Sequence, residues 1–192
     1  MKSQVTTKQG DGGQSRTLDG ETVSKADPIM ECAGCVDEAR TQTALLRLHV
    51  IEAAPEHTEE YDELLVWLLH AYFLIGTTCS DPRNRKPEHH KRAIQSKDIE
   101  RLERYQAIWE ERTPLPKAFI LSATNTLSAR ADIVCTIVRR LERAIVRLKE
   151  TVPEFQAEVL LVFVNRLSDT LFIMARRLEA GKHLTVDYAL LD

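Results

Sequence analysis

Long uninterrupted apolar stretches are missing from this 192-residue chain. Leu64 to Ile75 is broken by His70, and Val159 to Val164 gives way to Asn165 and Arg166, so neither run reaches the roughly 20 residues that cross a bilayer. Cysteine is scarce: Cys32, Cys35, Cys79 and Cys135 are too few and too scattered to read as a disulfide framework, and reduced thiols are the expectation. Surplus positive charge is absent as well. With 26 Lys and Arg against 29 Asp and Glu the net charge is −3, which removes the general electrostatic drive toward nucleic acid. Residues 1–15 carry neither the apolar core of a secretory signal nor the Arg-rich amphipathic pattern of a transit peptide. Together these absences lead us to expect a cytoplasmic protein with no membrane span and no nucleic-acid partner. What is present, 43% apolar and 29% charged residues, suits one globular domain.

Four of the seven glycines fall before residue 21, among Thr, Ser, Asp and Lys with no sustained apolar period. Residues 1–27 therefore read as loop, either a tail or a ligand loop. Asp27-Pro28 reads as a helix start, with Asp27 as N-cap and Pro28 at the first helical position. The first helix is expected over 28–52, and after Pro55 a second from about 56 to 78 with Leu64, Leu65, Leu68, Tyr72 and Ile75 on its apolar face. The charged, two-proline stretch 80–91 reads as a solvated linker. A third helix is expected over 96–111, stopped by Thr113-Pro114-Leu115-Pro116. In the fourth, about 125–151, Leu127, Ala131, Val134, Val138, Leu141, Ile145 and Leu148 alternate steps of four and three, the stripe of a helix packed in a bundle. Beyond Pro153 the fifth repeats the rule with Leu160, Val164, Leu167, Leu171, Met174 and Leu178. No strand-like alternation competes. The expected fold is all-α, a five-helix bundle with ferritin-like up-and-down packing over 28–180, with 181–192 as a C-terminal tail.

Polar residues on the last two helices are the candidates for chemistry. Arg139, Arg140, Glu142 and Arg143 lie within one and a half turns, with Glu142 beside Arg139 at i+3. Such guanidinium groups can grip phosphate oxygens bidentately, and the same spacing also describes a solvated face with local ion pairs. Asn165, Arg166 and Asp169 interrupt the most apolar helix, where burial would cost several kcal/mol without partners. Asn165 and Asp169, at i and i+4, suit either a ribose, a base or a structural pair between helices. The loop Thr7-Lys8-Gln9-Gly10-Asp11-Gly12-Gly13, with Lys25, offers open amides and cations for phosphate, yet matches neither a Walker loop nor a dinucleotide fingerprint. Cys32 and Cys35 have a metal-like spacing with no second pair near in sequence, and read as structural thiols. His57, His70 and His183 read as surface or packing residues.

In order, these segments resemble the propanediol-utilisation (PduO) type of ATP:cob(I)alamin adenosyltransferase. TKQGDGG followed by Gly20 and Ser24-Lys25 is similar to that family's ATP loop, and Gly34-Cys35-Val36-Asp37-Glu38 to its G-x-V-D-E-L helix. Phe119-Ile120-Leu121 opens its F-I-L-P-G-G segment, and RRLER with FVNRLSDTLFIMAR resembles its last two helices. The likeness runs from about Thr7 to Arg177. It implies a trimer of five-helix bundles with active sites between subunits, in which the cob(I) ion of cob(I)alamin attacks C5′ of ATP and releases triphosphate. By the same resemblance Thr7, Lys8, Gly10, Asp11, Gly13 and Lys25 surround the phosphates, and Arg139 and Glu142 contact triphosphate and nucleoside. Arg140 supports them and Asn165 meets the nucleotide. Magnesium accompanies the triphosphate, no protein side chain serves as nucleophile, and none is assigned as a metal ligand. Phe119 falls on the corrinoid side, while Asp37, Cys135, Arg166 and Asp169 belong to the framework and interface. A corrinoid-dependent enzyme or a reductase is the protein partner the reaction implies.

The departures are local. Ser122-Ala123-Thr124 replaces P-G-G, and Ala131-Asp132-Ile133-Val134-Cys135 replaces L-H-x-A-R. Cys135 thus stands where the family has an arginine that pairs with the aspartate matching Asp37. Thr17 replaces an apolar loop residue and Thr170 a tyrosine. These changes favour, as an alternative, a paralogue that binds ATP or corrinoid as a carrier without efficient turnover. A purely structural bundle is the third reading.

Overall fold

The computed structural model describes residues 6, 8–53 and 58–191. Five helices dominate: α1 (Pro28–Ala53), α2 (Thr58–Ser80), α3 (Ser96–Glu111), α4 (Thr126–Thr151) and α5 (Glu158–Leu178). The start expected for the second helix, Glu56, lies outside the described residues. Helix ends follow local chemistry. Asp27 Oδ1 accepts from Ile29 N–H at 2.8 Å, the expected N-cap bond. Asn125 Oδ1 accepts from Ser128 N–H at 2.9 Å while Ser128 Oγ accepts from Asn125 N–H at 3.3 Å, a reciprocal box that starts α4 one residue later than expected. Gln95 and Asp98 close the same kind of box on α3.

The helices stack as layers of one bundle. α1 packs on α2 and α4, and α5 on α4 and α3. Rings close the remaining seam: Trp67 of α2 meets Phe163 of α5 with centroids 5.9 Å apart, and Tyr61 meets Trp109 of α3 at 5.5 Å. The stripe residues Ala131, Val138, Leu141, Ile145 and Leu148 of α4 and Val164, Leu167, Leu171 and Met174 of α5 are fully buried against one another's layer. Each large side chain so buried contributes about 1.5–3 kcal/mol. α2 is long and apolar enough, by length and composition alone, to cross a membrane, although no single uninterrupted run in the sequence is. Its apolar positions Leu64, Leu65, Leu68 and Ile75 are consumed by the bundle core.

Two expectations are corrected. Residues 1–27 are not loop throughout: β1 (Gln14–Arg16) and β2 (Thr22–Ser24) form an antiparallel hairpin with Ser15 opposite Val23. Strands of three residues are too short to show alternation, which is why the sequence pattern misses them. Nor is 80–91 simply solvated. Asp81 is buried, and its carboxylate accepts from the amides of Arg85 (2.9 Å) and Lys86 (2.8 Å) and lies 3.0 Å from His90 Nε2. That turn presents Arg85 Nη1 to Asp19 and Glu21 of the hairpin, each at 3.1 Å, and Leu18 N–H donates to Ser80 O at 3.3 Å. The hairpin is thereby moored to the end of α2.

Candidate functional site

The loop half of the site is shaped by backbone conformation. Gly13 (φ 78) and Gly20 (φ 88) occupy the left-handed region open to glycine, and Lys8 adopts it too (φ 59) at a cost of roughly 1–2 kcal/mol. Lys25 N–H donates to Gly13 O at 2.9 Å, joining loop to strand end. A Cβ on Gly10 would stand 3.0 Å from Lys25 Nζ and 3.3 Å from Gln14 O, so glycine here leaves room for the ammonium. Gly10, Lys25, Arg16, Gln14 and Thr22 line an open cavity of about 700 Å³. Two cations over exposed backbone make it an anion site by composition. Asp11 is exposed beside it, and Thr7 lies outside the described residues.

The helix half lies on the α4–α5 seam. Asn165 Nδ2 donates to Glu142 Oε1 at 3.3 Å, and Asn165 Oδ1 accepts from Arg166 Nη1 at 3.2 Å. Arg166 also reaches Glu103 of α3 at 3.0 Å. Arg143 Nη1 folds back to Arg139 O at 3.0 Å, and Arg140 pairs with Glu38 of α1. The cost of burying Asn165, Arg166 and Asp169 does not arise in full: Asn165 is exposed and the other two are half-buried, because they occupy the rim of α5 rather than its core stripe. Arg139 is exposed, and with Asp169, Phe172 and Leu115 it lines a small cavity of about 200 Å³. The seam thus joins Glu142 to Asn165 and sets Arg139 and Asp169 around one cavity. Within one protomer the loop cavity is lined by none of these residues.

The framework residues fall as follows. Asp37 pairs with Arg40 at 2.8 Å, and both are partly exposed. Cys135 is 3% exposed, and its thiol donates to Ser168 O at 3.2 Å. Burial pushes that thiol above its ordinary range against the pull of Arg139. Phe119 is 77% exposed and lines neither cavity. Cys32, Cys35 and Cys79 are free and buried, and although Cys79 is remote in sequence the α1–α2 packing brings it to Cys32. A hydrogen bond with Cys32, then burial, push the Cys79 thiol well up, the behaviour of inert core thiols. Among the described residues no three His, Cys, Asp or Glu side chains gather as a metal site.

Sequence reasoning missed Glu38 and Glu103, the carboxylates that hold Arg140 and Arg166, and Arg16 of the loop cavity. It also missed a buried knot. Arg176, 1% exposed, reaches Asp132 at 2.6 Å and Glu179 at 3.2 Å, and Glu179 lies 2.6 Å from His183 Nδ1. Burial raises the Asp132 carboxyl above its ordinary value, and the Arg176 hydrogen bond only partly offsets this. The available signal was the run Arg176, Glu179, His183, in steps of three and then four, at the end of an apolar helix.

Comparison with known proteins identifies the family. A family model described as cobalamin adenosyltransferase matches residues 5–178. The chain is 30% identical over 180 residues to the corrinoid adenosyltransferase PduO of Citrobacter freundii, covering 93% of this chain and 51% of that protein. It is 32% identical over 174 residues to the corrinoid adenosyltransferase MMAB of Mus musculus, covering 90% and 71%. The chain therefore spans about half the length of the Citrobacter relative. Among solved structures, a variant PduO-type ATP:corrinoid adenosyltransferase from Lactobacillus reuteri complexed with cobalamin and ATP superposes with a TM-score of 0.83 at 26% identity, covering 95% of this chain and 96% of that one.

Proposed function

Since the chain belongs to the cobalamin adenosyltransferase family, we propose that it transfers the 5′-deoxyadenosyl group of ATP to the cobalt of a cob(I) corrinoid, giving adenosylcobalamin and triphosphate. The observation that carries the reading is the pairing of a glycine-cleared cationic loop, Gly10 with Lys25, with an open Arg139, Glu142 and Asn165 seam on the same chain. Cobalt is the nucleophile. Its electron pair forms the Co–C5′ bond as the C5′–O5′ bond breaks, and triphosphate leaves with those electrons. The protein's task is to hold the two substrates in line and to stabilise the charge that gathers on the leaving group.

In this reading Lys8, Gly10, Asp11, Gly13 and Lys25, with Thr7, surround the phosphates. Arg139 grips the triphosphate, Glu142 and Asn165 bind the nucleoside, and Glu38 steadies Arg140. Magnesium fits this site without a cluster of protein ligands, because it takes most of its ligands from phosphate oxygens and water. It would neutralise the leaving triphosphate. Because loop and seam stand apart in one protomer, we infer a homotrimer in which the loop of one copy faces the seam of the next. The helical unit 28–180, flanked by the N-terminal segment 1–27 with its hairpin and the C-terminal segment 181–192, acts in the cytoplasm, with a reductase or a corrinoid-dependent enzyme as protein partner.

An anaerobic assay with ATP and chemically reduced cobalamin tests the reaction: adenosylcobalamin should accumulate, and none from folded protein with any corrinoid tried would end this reading. A second reading, a binding paralogue with little turnover, is favoured by Cys135, which leaves Asp37 to Arg40. It requires thermal stabilisation by Mg-ATP without product. Absence of both stabilisation and product would leave a structural bundle.

A further inference from the structure

The chain beyond α5 is tied down. Ile120 faces Thr185 in an antiparallel bridge, Leu121 N–H donates to Leu184 O at 2.8 Å, and Val186 N–H donates to Phe119 O at 2.9 Å. Alternate residues of paired strands share a face, so Phe119 sits beside Val186 and Leu121 beside Leu184 on one side of this short ribbon. Phe119 is 77% exposed, Leu184 56% and Leu121 46%. A contiguous apolar face so open marks a ligand or partner surface rather than core. The segment 119–121 has no helix or sheet of its own, and the C-terminal strand supplies its backbone partners.

That strand is held in turn by the buried knot. Glu179 directly follows α5, and the chain reverses through Ala180 (φ 50) and Gly181 (φ 77), closed by Lys182 N–H donating to Glu179 O at 3.0 Å. His183 then returns to the Glu179 carboxylate at 2.6 Å, and Glu179 is fixed by Arg176 and through it by Asp132 of α4. Among the described residues His183 Nε2 is buried without a hydrogen-bond partner, so Nδ1 is the ring's hydrogen-bonded anchor. Its chain neighbour is Leu184, whose carbonyl receives Leu121. Fixing His183 therefore fixes the ribbon.

We propose that His183 is a positioning residue for the corrinoid side: by holding Glu179 it locks 184–186 against 119–121 and so presents Phe119 and Leu121 to a broad apolar substrate face. The identity of that substrate rests on the reaction proposed above, whereas the anchoring stands on the hydrogen bonds alone.

His183→Ala and His183→Gln in the full chain separate the two. Amide exchange at Leu121 and Val186, measured without any ligand, should be slow in the parent protein, about tenfold faster in His183→Ala, and restored in His183→Gln, whose amide can still donate to Glu179. The KM for cob(I)alamin should rise about tenfold in His183→Ala while the KM for ATP stays within about twofold, with Gln again restoring it. Fast exchange at both amides in the parent, unchanged exchange in His183→Ala, or an equal rise in both KM values would overturn the proposal. If His183→Ala does not fold, the parent's exchange and the Gln variant decide it: parent-like behaviour of Gln supports the hydrogen bond as anchor, and loss with Gln refutes it. If the parent makes no adenosylcobalamin, the reaction has failed and the exchange measurement still judges the anchoring.

Discussion

Two clusters of arginine and carboxylate lie on α4 and α5 and differ in one respect, their access to water. At the seam, Arg139 is exposed, Glu142 engages only the amide of Asn165 at 3.3 Å, and the guanidinium of Arg139 remains open to solvent. In the knot, Arg176 is 1% exposed and is closed by Asp132, Glu179 and, beyond it, His183. Guanidinium groups that already hold two carboxylates have little left for a ligand, and groups left open at a rim have everything left for one. The same residue types thus build a closed fastener in one place and, in the proposed site, an open rim in the other.

The contrast breaks most visibly at Arg176. Arg176→Met leaves the buried Glu179 and the half-buried Asp132 without their cation and should cost about 3–5 kcal/mol in denaturant unfolding. A loss below about 1 kcal/mol would mean that the knot is not a fastener. Arg139→Ala should do the reverse: stability within about 0.5 kcal/mol of the parent, but adenosyl transfer down by about 100-fold, read from kcat/KM in the anaerobic assay. A large stability loss with unchanged transfer would invert the comparison.

Cys135 lies between the two clusters and sharpens the boundary. Burial in the α4–α5 interface, with its thiol on Ser168 O, leaves little space for a longer side chain. Cys135→Arg should therefore lower stability by about 1–3 kcal/mol through overpacking. Activity should rise only if the new guanidinium draws Asp37 away from Arg40, so a gain in product would identify the missing arginine as what limits turnover. For Asp132 the sign follows from burial. Its carboxyl is raised above the ordinary value of 3.8, so the unfolded chain ionises first and Asp132 subtracts from stability as pH climbs from that value through the raised one. Asp132→Asn removes the effect. Relative to the parent, this variant should gain stability between pH 3 and pH 7 in matched denaturation curves, about in the window where carboxylates titrate. A relative loss over that span would show that the ion pair with Arg176 outweighs burial.

The bundle was legible because its stripes obey a period. The steps of four and three in α4 and α5 need only the chain's own spacing, and their Leu and Val positions are buried except at the helix ends, where Leu127 and Leu178 are half-buried. The nucleotide candidates came from a different source, the resemblance of short motifs, and of these the seam brings Glu142 and Asn165 together across 23 residues of sequence. What stayed hidden depends on partners far apart in the chain. Arg85 gripping Asp19, and Thr185 bridging Ile120, are tertiary events with no local signal. Nor does an apolar neighbourhood reveal which polar groups are buried. Asn165 interrupts an apolar helix yet is exposed, whereas Arg176, in the same helix, is buried, because position around the helix and not neighbouring hydrophobicity decides exposure.

Asp37 offers the finest test of the difference between open and closed pairs. It meets Arg40 three residues on, at 2.8 Å, with both side chains partly in water. Such a pair in one protomer is worth less than about 1 kcal/mol, so Asp37→Ala should barely shift the unfolding of the isolated chain. An interface partner would make the same carboxylate matter more, because burial between copies strips away the water that weakens the pair. Unfolding and sedimentation of Asp37→Ala, measured across a range of protein concentrations, separate these cases. A small loss independent of concentration keeps Asp37 on Arg40 alone. A loss that grows on dilution, with a falling assembly mass, places Asp37 at the junction between the loop of one copy and the seam of another.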